Sequence, residues 1–118
     1  MQRVLVVDDE PAVAKALGRL LALHGFDVRT CLSGVQALAE LHAAPADAVV
    51  SDLHMPGMNG VALLAEVKRL WPACLRVLVS ALATTLSPEV LAPCAPCVLV
   101  AKPFRDEELL AAVSRKGG

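Results

Sequence analysis

The chain has 118 residues, a length typical of one domain, and residues 1–118 are therefore interpreted as a single folding unit. Hydrophobic residues make up 56% of the chain and aromatic residues only 3%, so the core is expected to be aliphatic. A net charge of −1 without a basic run argues against direct nucleic-acid binding by this domain. The apolar runs are shorter than the ~18–20 residues of a membrane span, and no signal-peptide pattern is seen, so a cytoplasmic location without membrane contact is expected.

Five strands are predicted to alternate with five helices. Four of the strands are short, unbroken apolar runs, as is typical of parallel strands covered on both faces; they are residues 4–7, 48–50, 77–79 and 98–101. The second strand, Asp27–Cys31, alternates polar and apolar residues and so fits the edge of a sheet. This order predicts an open parallel α/β sheet with right-handed crossovers.

Helical patterns lie between these strands. In the first, apolar residues recur at spacings of three and four and form one stripe: Val13, Ala16, Leu17, Leu20 and Leu21. Leu64, Val67 and Trp71 show the same spacing in the third. The pairs His24-Gly25 and Trp71-Pro72 are stop signals. The last helix is predicted to begin at Asp106 and to end with Arg115 and Lys116, a charge order that complements the helix dipole.

The fourth helix is predicted to be only one or two turns long. Ser87 and Pro88 form a good N-cap and first helical residue. Pro93 and Pro96 follow closely, and a proline disfavours helical backbone at the residue before it.

Polar side chains follow four of the strands at the edge where α/β sheets bind ligands. They are Asp8, Asp9 and Glu10 after the first strand, Asp52 after the third, Ser80 after the fourth and Lys102 after the fifth. If the first and third strands are neighbours, three carboxylates converge and repel one another by about 1–4 kcal/mol per pair. Protonation or a cation must then neutralise them. Oxygen ligands favour Mg²⁺, with Mn²⁺ as the alternative ion. A simpler interpretation is a helix-capping acid and a surface ion pair of Lys102.

Four segments resemble the signature segments of response-regulator receiver domains. They are Val-Leu-Val-Val-Asp8-Asp9-Glu10, Ser51-Asp52-Leu-His-Met-Pro56-Gly57-Met-Asn-Gly60, Val-Ser80-Ala81 and Lys102-Pro103-Phe104. The resemblance covers essentially the whole chain. It implies a flavodoxin-like fold, similar to that of chemotaxis regulators, with strand order 2-1-3-4-5, helices on both faces and a cis peptide bond before Pro103.

The resemblance also implies the chemistry of this edge. Asp52 resembles the phosphoacceptor, and Asp9 and Asp52 would bind Mg²⁺ directly together with the backbone carbonyl of His54. Asp8 would act mainly through coordinated water. Phosphoryl transfer requires an in-line nucleophile and positive charge on the phosphoryl oxygens, which fits an acidic site that holds a cation.

Two further residues would contact the phosphoryl group by the same resemblance. Ser80 would hydrogen-bond a phosphoryl oxygen, and Lys102 would pair with the phosphoryl group or with the free carboxylate. Leu82 and His54 occupy positions that tune dephosphorylation. Because Leu82 is bulky and apolar and could shield the phosphorus from water, a long-lived phosphoryl group is predicted.

The implied partners are a histidine kinase or phosphotransfer protein upstream and an output domain or partner protein downstream, and a homodimer is left open. Turnover of an external substrate is not expected. A haloacid dehalogenase-type phosphatase, the alternative with an aspartyl-phosphate intermediate, requires Asp-x-Asp after the first strand, whereas Asp8 and Asp9 are adjacent here. Nucleotide-binding folds are disfavoured because neither a P-loop nor G-x-G-x-x-G follows that strand.

The sequence departs from the family pattern on its output side. Leu99 occupies the position of the usual aromatic switch residue, and the chain has no Tyr. Together with the short fourth helix, this leaves two interpretations: drift of a surface helix, or an output face rebuilt for another partner or no longer used as a switch. A pseudo-receiver that docks partners without phosphorylation is therefore kept as an alternative function.

The four cysteines, at positions 31, 74, 94 and 97, are expected to be reduced. Cys94 and Cys97 match C-x-x-C, but no second pair completes a zinc site. A redox C-x-x-C normally opens a helix, whereas this one leads into an apolar strand, so the sequence disfavours a functional thiol pair.

Overall fold

All five predicted strands are present in the computed structural model, which describes residues 2–114. They are β1 Arg3–Val7, β2 Asp27–Cys31, β3 Ala48–Asp52, β4 Leu75–Ser80 and β5 Val98–Ala101. They form one parallel sheet in the order β2-β1-β3-β4-β5. The predicted α/β class and strand order are thus confirmed, and β2 lies at an edge as its alternating sequence indicated.

The helices begin and end near the predicted signals. They are α1 Pro11–Leu23, α2 Gly34–Ala43, α3 Gly60–Leu70, α4 Pro88–Leu91 and α5 Asp106–Val113. The predicted stop residues His24 and Trp71 directly follow α1 and α3. Asn59 caps α3, since its Oδ1 accepts a hydrogen bond of 2.9 Å from the backbone N–H of Ala62. The basic end predicted for the last helix, Arg115 and Lys116, lies outside the described residues.

The sheet has an apolar cluster on each face because neighbouring residues of a strand point to opposite sides. On one face, Val4, Val6 and Val50 pack with α1 and α5. On the other face, Leu5, Val7 and Val49 pack with α2 and α3. Both faces of the central strands are therefore covered, which explains their unbroken apolar sequences. None of the helices formed by residues 2–114 combines the length and the apolar character needed to cross a membrane.

The fourth helix is a single turn, as predicted. Ser87 is its N-cap, with Oγ accepting a 3.3 Å hydrogen bond from the backbone N–H of Val90. A 3₁₀ turn at Ala92–Cys94 follows at once. Pro93 lies inside this turn, where its missing N–H and fixed φ prevent the helix from continuing. The prolines therefore set the length of α4.

Arg76, on β4, is a buried charged residue that the sequence analysis did not single out. Its side chain is directed to the end of the sheet opposite the polar strand ends, and only 5% of the residue is exposed. The guanidinium donates hydrogen bonds to four backbone carbonyls: Cys94 at 3.1 Å, Pro96 at 3.0 Å, Cys74 at 3.1 Å and Pro72 at 3.4 Å. Arg76 thereby joins the α3–β4 loop to the segment that precedes β5.

The only Trp of the chain lies far from the polar strand ends. Trp71 follows α3, and its ring meets that of His42 on α2 edge to face, with the ring centroids 4.9 Å apart. His42 and His24 are both exposed, as expected for surface groups at helix ends. His24 Nδ1 lies 3.0 Å from the carbonyl oxygen of Leu20.

Candidate functional site

The strand order places the polar strand ends side by side. β1 and β3 are direct neighbours, and Val7 on β1 is in register with Ser51 on β3. Asp8 is the residue after Val7, and Asp52 is the residue after Ser51. The two carboxylates therefore leave the sheet at the same level, as the sequence predicted for neighbouring strands.

Three acidic side chains form a compact cluster at this edge. Oxygen atoms of Asp8, Asp9 and Asp52 all lie within 4.8 Å of one another. Asp8 is buried, at 2% exposure, whereas Asp9 and Asp52 are half-buried. The Oδ1 atom of Asp8 accepts a 2.9 Å hydrogen bond from the backbone N–H of Glu10, which fixes the orientation of its carboxylate.

The electrostatics of Asp8 reflect this crowding. Burial raises the pKa of the Asp8 carboxyl above its ordinary value, and the negative charges of Asp52 and Asp9 act in the same direction. The Glu10 hydrogen bond and the positive charge of Lys102 oppose the increase without cancelling it. The cluster therefore has an excess of negative charge that a cation would relieve.

Lys102 is the cation that contacts the cluster directly. Its Nζ lies 2.9 Å from Oδ1 of Asp52, with 33% of the lysine side chain and 15% of the aspartate side chain exposed. Burial by itself would lower the pKa of Lys102, but the hydrogen bond and charge of Asp52, with the charges of Asp8 and Glu10, outweigh it and raise the pKa. The lysine is thus held in its charged form against Asp52.

Ser80 lies between the strands that carry Asp52 and Lys102. Asp52 is in register with Val79 on β4, and the backbone N–H of Lys102 donates a 3.0 Å hydrogen bond to the carbonyl of Ser80. The Ser80 hydroxyl is buried and accepts a 2.9 Å hydrogen bond from the backbone N–H of Leu82. With the oxygen fixed in this way, its O–H can still donate a hydrogen bond of its own.

His54 lies on the loop after β3, with an exposed side chain. It lines an open cleft together with Asp9, Met55, Pro56 and Asn59. The role of its backbone carbonyl as a metal ligand stays a prediction. The bond between Lys102 and Pro103 is cis, as the resemblance implied; a second cis bond, between Ala95 and Pro96, was not predicted.

Gly60, the first residue of α3, lets this helix approach the end of β3 closely. A Cβ atom at this position would collide with the backbone carbonyl oxygen of Asp52 and come within 2.8 Å of Leu78 Cδ1. The backbone N–H of Gly60 donates a 2.9 Å hydrogen bond to the carbonyl of Leu53. Gly57, in the same loop, has a φ of +74°, a conformation that favours glycine. The loop that follows Asp52 thus depends on both glycines.

The family described as "Response regulator receiver domain" matches residues 4–114. The chain belongs to the response-regulator receiver family. This assignment agrees with the polar edge built from Asp8, Asp9, Asp52, Ser80 and Lys102, because four separate signature segments supply those residues. Receiver domains are phosphoacceptor signalling modules, and the cluster of three carboxylates fits a phosphorylation site of that kind.

Curated relatives support the same assignment. Over an alignment of 121 positions that covers 100% of this chain, the receiver domain is 35% identical to the sensory transduction protein RegX3 of Mycobacterium tuberculosis, of which it covers 53%. It is 36% identical over 112 residues, 95% of the chain, to the DNA-binding response regulator MtrA of Mycolicibacterium smegmatis, of which it covers 49%. The chain thus spans about half the length of these two relatives.

The receiver domain is also similar to a solved structure over nearly its whole length. The chemotaxis protein CheY4 of Vibrio cholerae superposes with a TM-score of 0.86 at 28% identity, covering 98% of each chain. The receiver domain of this chain therefore has the fold of chemotaxis regulators of the same size, which confirms the fold implied by the resemblance.

The structure brings together every predicted site residue at the carboxyl edge of the sheet. Sequence reasoning missed two features of the surroundings. The depth of Asp8, compared with Asp9, could not be predicted from two adjacent acids. The contact of Gly60 with the Asp52 backbone was also missed, although a glycine just before a helical pattern can mark a close approach of backbone.

Proposed function

We propose that Asp52 is the phosphoacceptor of this receiver domain. The observation that carries the proposal is the position of its carboxylate, which belongs to the cluster of three acids and lies 2.9 Å from Lys102. The second oxygen of Asp52 is then the nucleophile that attacks phosphorus in line with the leaving group. The product is an acyl phosphate, which water hydrolyses, so the signal can be erased.

Three groups assist the transfer in this proposal. Lys102 moves its positive charge from the Asp52 carboxylate to the incoming phosphoryl oxygens, where negative charge must be balanced. The Ser80 hydroxyl donates a hydrogen bond to another phosphoryl oxygen, since its own oxygen is already oriented by the Leu82 N–H. Asp8 contributes negative charge beside Asp52 that helps to attract the cation, and the Glu10 N–H keeps its carboxylate oriented.

The donor set suits Mg²⁺. Asp9, Asp52 and the carbonyl of His54 would be direct ligands, and Asp8 would act through coordinated water, with Mn²⁺ as the alternative ion. Oxygen ligands, a buried acid whose pKa is raised, and a single ammonium group among three carboxylates support a divalent cation. When bound, the ion supplies positive charge that stabilises the transferred phosphoryl group.

The biological setting follows from the family. We infer that a histidine kinase or phosphotransfer protein donates the phosphoryl group and that an output domain or partner protein receives the signal, in the cytoplasm. In this proposal residues 1–118 act as one receiver domain that does not turn over an external substrate. The exposed Leu99, at 37% exposure, and the single-turn α4 lie on the face where the output would be recognised.

The test is phosphorylation by a small phosphodonor in Mg²⁺, followed by intact mass. The wild-type protein is expected to gain one phosphoryl group, and Asp52→Asn is expected to gain none, because the amide is not a nucleophile. Asp27→Asn, which removes an exposed acid paired with Arg3 at 3.6 Å, is the matched control and should behave as wild type.

Two results would reject the proposal. A wild-type protein without an adduct, at donor concentrations that label a control receiver domain, would favour the pseudo-receiver alternative. An adduct that persists in Asp52→Asn would place the phosphoryl group on another residue. Turnover of phosphate esters by the wild-type protein would instead revive the phosphatase alternative.

The lifetime of the phosphoryl group is predicted to depend on Leu82. The residue is 45% exposed, and its backbone N–H donates a hydrogen bond to the Ser80 hydroxyl oxygen, so Leu82 adjoins the site through Ser80. Leu82→Asn should admit and orient water, and the phosphoryl group should be lost about tenfold faster, a change of about 1.4 kcal/mol in the barrier. The decay of the intact-mass adduct after donor removal measures this rate.

The matched control for this variant is Leu23→Asn, which changes an exposed leucine at the far end of α1, at 76% exposure. Its decay rate should equal that of the wild type. Wild-type decay within seconds, or equal rates for Leu82→Asn and wild type, would contradict shielding by Leu82.

A further inference from the structure

Cys94 and Cys97 face each other on the segment between α4 and β5. The Sγ atoms are 3.5 Å apart, and the Cys94 thiol donates a hydrogen bond to the Cys97 sulfur. All four cysteines of the chain are free thiols. Cys94 ends the 3₁₀ turn and is fully buried, whereas Cys97 is half-buried and comes just before β5. The pair therefore has one sulfur inside the core and one within reach of solvent.

The surroundings of the pair favour a thiolate. The hydrogen bond with Cys97 lowers the pKa of the Cys94 thiol to about 7, and the pKa of Cys97 is raised in turn because the two sulfurs share one proton. The positive charge of Arg76 acts to lower the pKa of each thiol. On ionisation the negative charge therefore resides on Cys94, and the Cys97 thiol keeps its proton and donates it in the hydrogen bond to the Cys94 sulfur.

Arg76 also holds the loop in place. Its Nε donates to the carbonyl of Cys94 and its Nη2 to the carbonyl of Pro96. Among residues 2–114 it forms no ion pair with a carboxylate, so its positive charge remains available to a nearby thiolate. The usual device for a reactive C-x-x-C is a helix N-terminus. Here the hydrogen bond between the sulfurs and the buried guanidinium lower the pKa of the Cys94 thiol in place of a helix N-terminus.

We propose that Cys94 and Cys97 form a reversible disulfide, with low-molecular-weight disulfides as the oxidant. The bridge would close the segment between the 3₁₀ turn and β5, next to the strand that carries Leu99 and leads to Lys102. It is a modification site separate from the phosphoacceptor cluster, and it acts on the part of the receiver domain where the sequence departs most from the family pattern.

The reaction consists of two exchange steps. The Cys97 sulfur, which solvent reaches, attacks one sulfur of the small disulfide as its proton passes to the Cys94 thiolate; a Cys97 mixed disulfide forms, and the small thiolate leaves and takes up that proton from Cys94. The Cys94 thiolate then attacks the Cys97 sulfur, forming the protein disulfide and releasing the second small thiol. The two cysteines lose two electrons and two protons in total, and the small disulfide gains both.

The test uses oxidised glutathione, acid quenching, alkylation and tryptic mass mapping of the full chain. Cleavage after Arg76 and Arg105 yields one peptide with both cysteines of the pair, because the proline after Lys102 blocks cleavage there. Cys74 falls in the preceding peptide. We expect the peptide 77–105 to lose two hydrogens and to escape alkylation, and dithiothreitol to restore both thiols.

Two variants serve as controls for the bridge. Cys74→Ala should give the same result as the wild type, because that thiol lies outside the pair. Cys97→Ser, with its fold checked by circular dichroism, should form no bridge.

Three outcomes would overturn the proposal. The first is complete alkylation of both cysteines after exposure to the oxidant. The second is a glutathione adduct on Cys97 that persists without closing on Cys94. The third is a bridge to Cys74 or to another molecule in place of the internal one. Asp52→Asn should form the bridge as the wild type does, so failure of phosphorylation and failure of disulfide formation are separate results.

Discussion

Gly60→Ala is expected to destabilise the receiver domain by about 2–4 kcal/mol, the range for a buried collision that forces backbone to move. The added methyl group would meet the carbonyl oxygen of Asp52, which belongs to the sheet and cannot rotate away, and the Leu78 side chain 2.8 Å away. The first turn of α3 must then move off β3. Urea denaturation measures the loss as a lower midpoint at unchanged slope.

The matched control is Gly18→Ala in α1. A Cβ there meets only side-chain atoms, the nearest being Thr30 Cγ2 at 3.1 Å, and alanine favours helix by about 1 kcal/mol over glycine. The net change at Gly18 should lie within about 1 kcal/mol of zero. Equal stability of Gly60→Ala and the wild type would show that α3 can be displaced without cost, and so contradict the close-approach argument.

Asp8→Asn is expected to stabilise the metal-free protein at neutral pH by about 1–2 kcal/mol, because it removes one of three crowded negative charges. The amide oxygen can still accept the Glu10 N–H hydrogen bond, so the local geometry is kept. In Mg²⁺ the wild type should become the more stable of the two proteins. The wild type gains stability by mass action, about 2.7 kcal/mol at a hundredfold excess over Kd, and the variant gains less.

The stabilising effect of Asp8→Asn should depend on pH, because only the wild type can bind a proton at this position. Burial and neighbouring acids raise the pKa of Asp8 in the folded state above its ordinary value of 3.8, so the folded protein binds this proton more tightly than the unfolded chain. The stability that Asp8 contributes is complete below that value and is lost as the pH rises through the folded-state pKa. The Asp8→Asn variant has no proton to lose at this position, so its advantage over the wild type should grow from acid to neutral pH.

Thermal unfolding in a metal chelator, from acid to neutral pH, measures this difference, and the same series in Mg²⁺ measures the second effect. Asp27→Asn is the control, since its acid is exposed and paired with Arg3. Lower stability of Asp8→Asn at neutral pH without metal would show that the Asp8 carboxylate is stabilising and would sink the charge-crowding interpretation.

The fold was predictable because its signals are periodic and local. Unbroken apolar runs predicted four of the strands, and the alternation in Asp27–Cys31 predicted the edge strand, although strand order came from the resemblance and not from the pattern. The prolines predicted the length of α4 correctly, since loss of an N–H acts on the residues beside it. Boundaries were less predictable: β4 begins two residues before the predicted apolar run, at Leu75.

Arg76 shows what a local pattern does not contain. A charged residue at the start of a strand is ordinarily a surface group, and its burial depends on carbonyls that the chain supplies 18 and 20 residues later. The contact of the Cys94 and Cys97 sulfurs depends on the same segment. The sequence shows the C-x-x-C motif, but the absence of a helix start after it argued against a functional thiol pair. Only the fold reveals the guanidinium beside the two sulfurs.

The convergence of the polar residues at one edge was predictable because each lies at the end of a strand of one parallel sheet. The degree to which each side chain is buried was not predictable. Asp8 and Asp9 are identical in type and adjacent in sequence, yet Asp8 is buried at 2% exposure and Asp9 is half-buried. Successive side chains after a strand point in different directions, and which of them meets the core depends on the packing of neighbouring loops.

The isolation of the indole ring has a spectroscopic consequence. With one Trp and no Tyr, the near-ultraviolet emission of this protein comes from Trp71. α3 separates that ring from the Asp52 edge by 11 residues, about 16 Å of helix. Emission will therefore follow the packing of the indole against the His42 ring, whose centroid lies 4.9 Å away, and with it the contact between α2 and α3. A dye or a tryptophan introduced near β5 is needed to follow events at the acidic cluster optically.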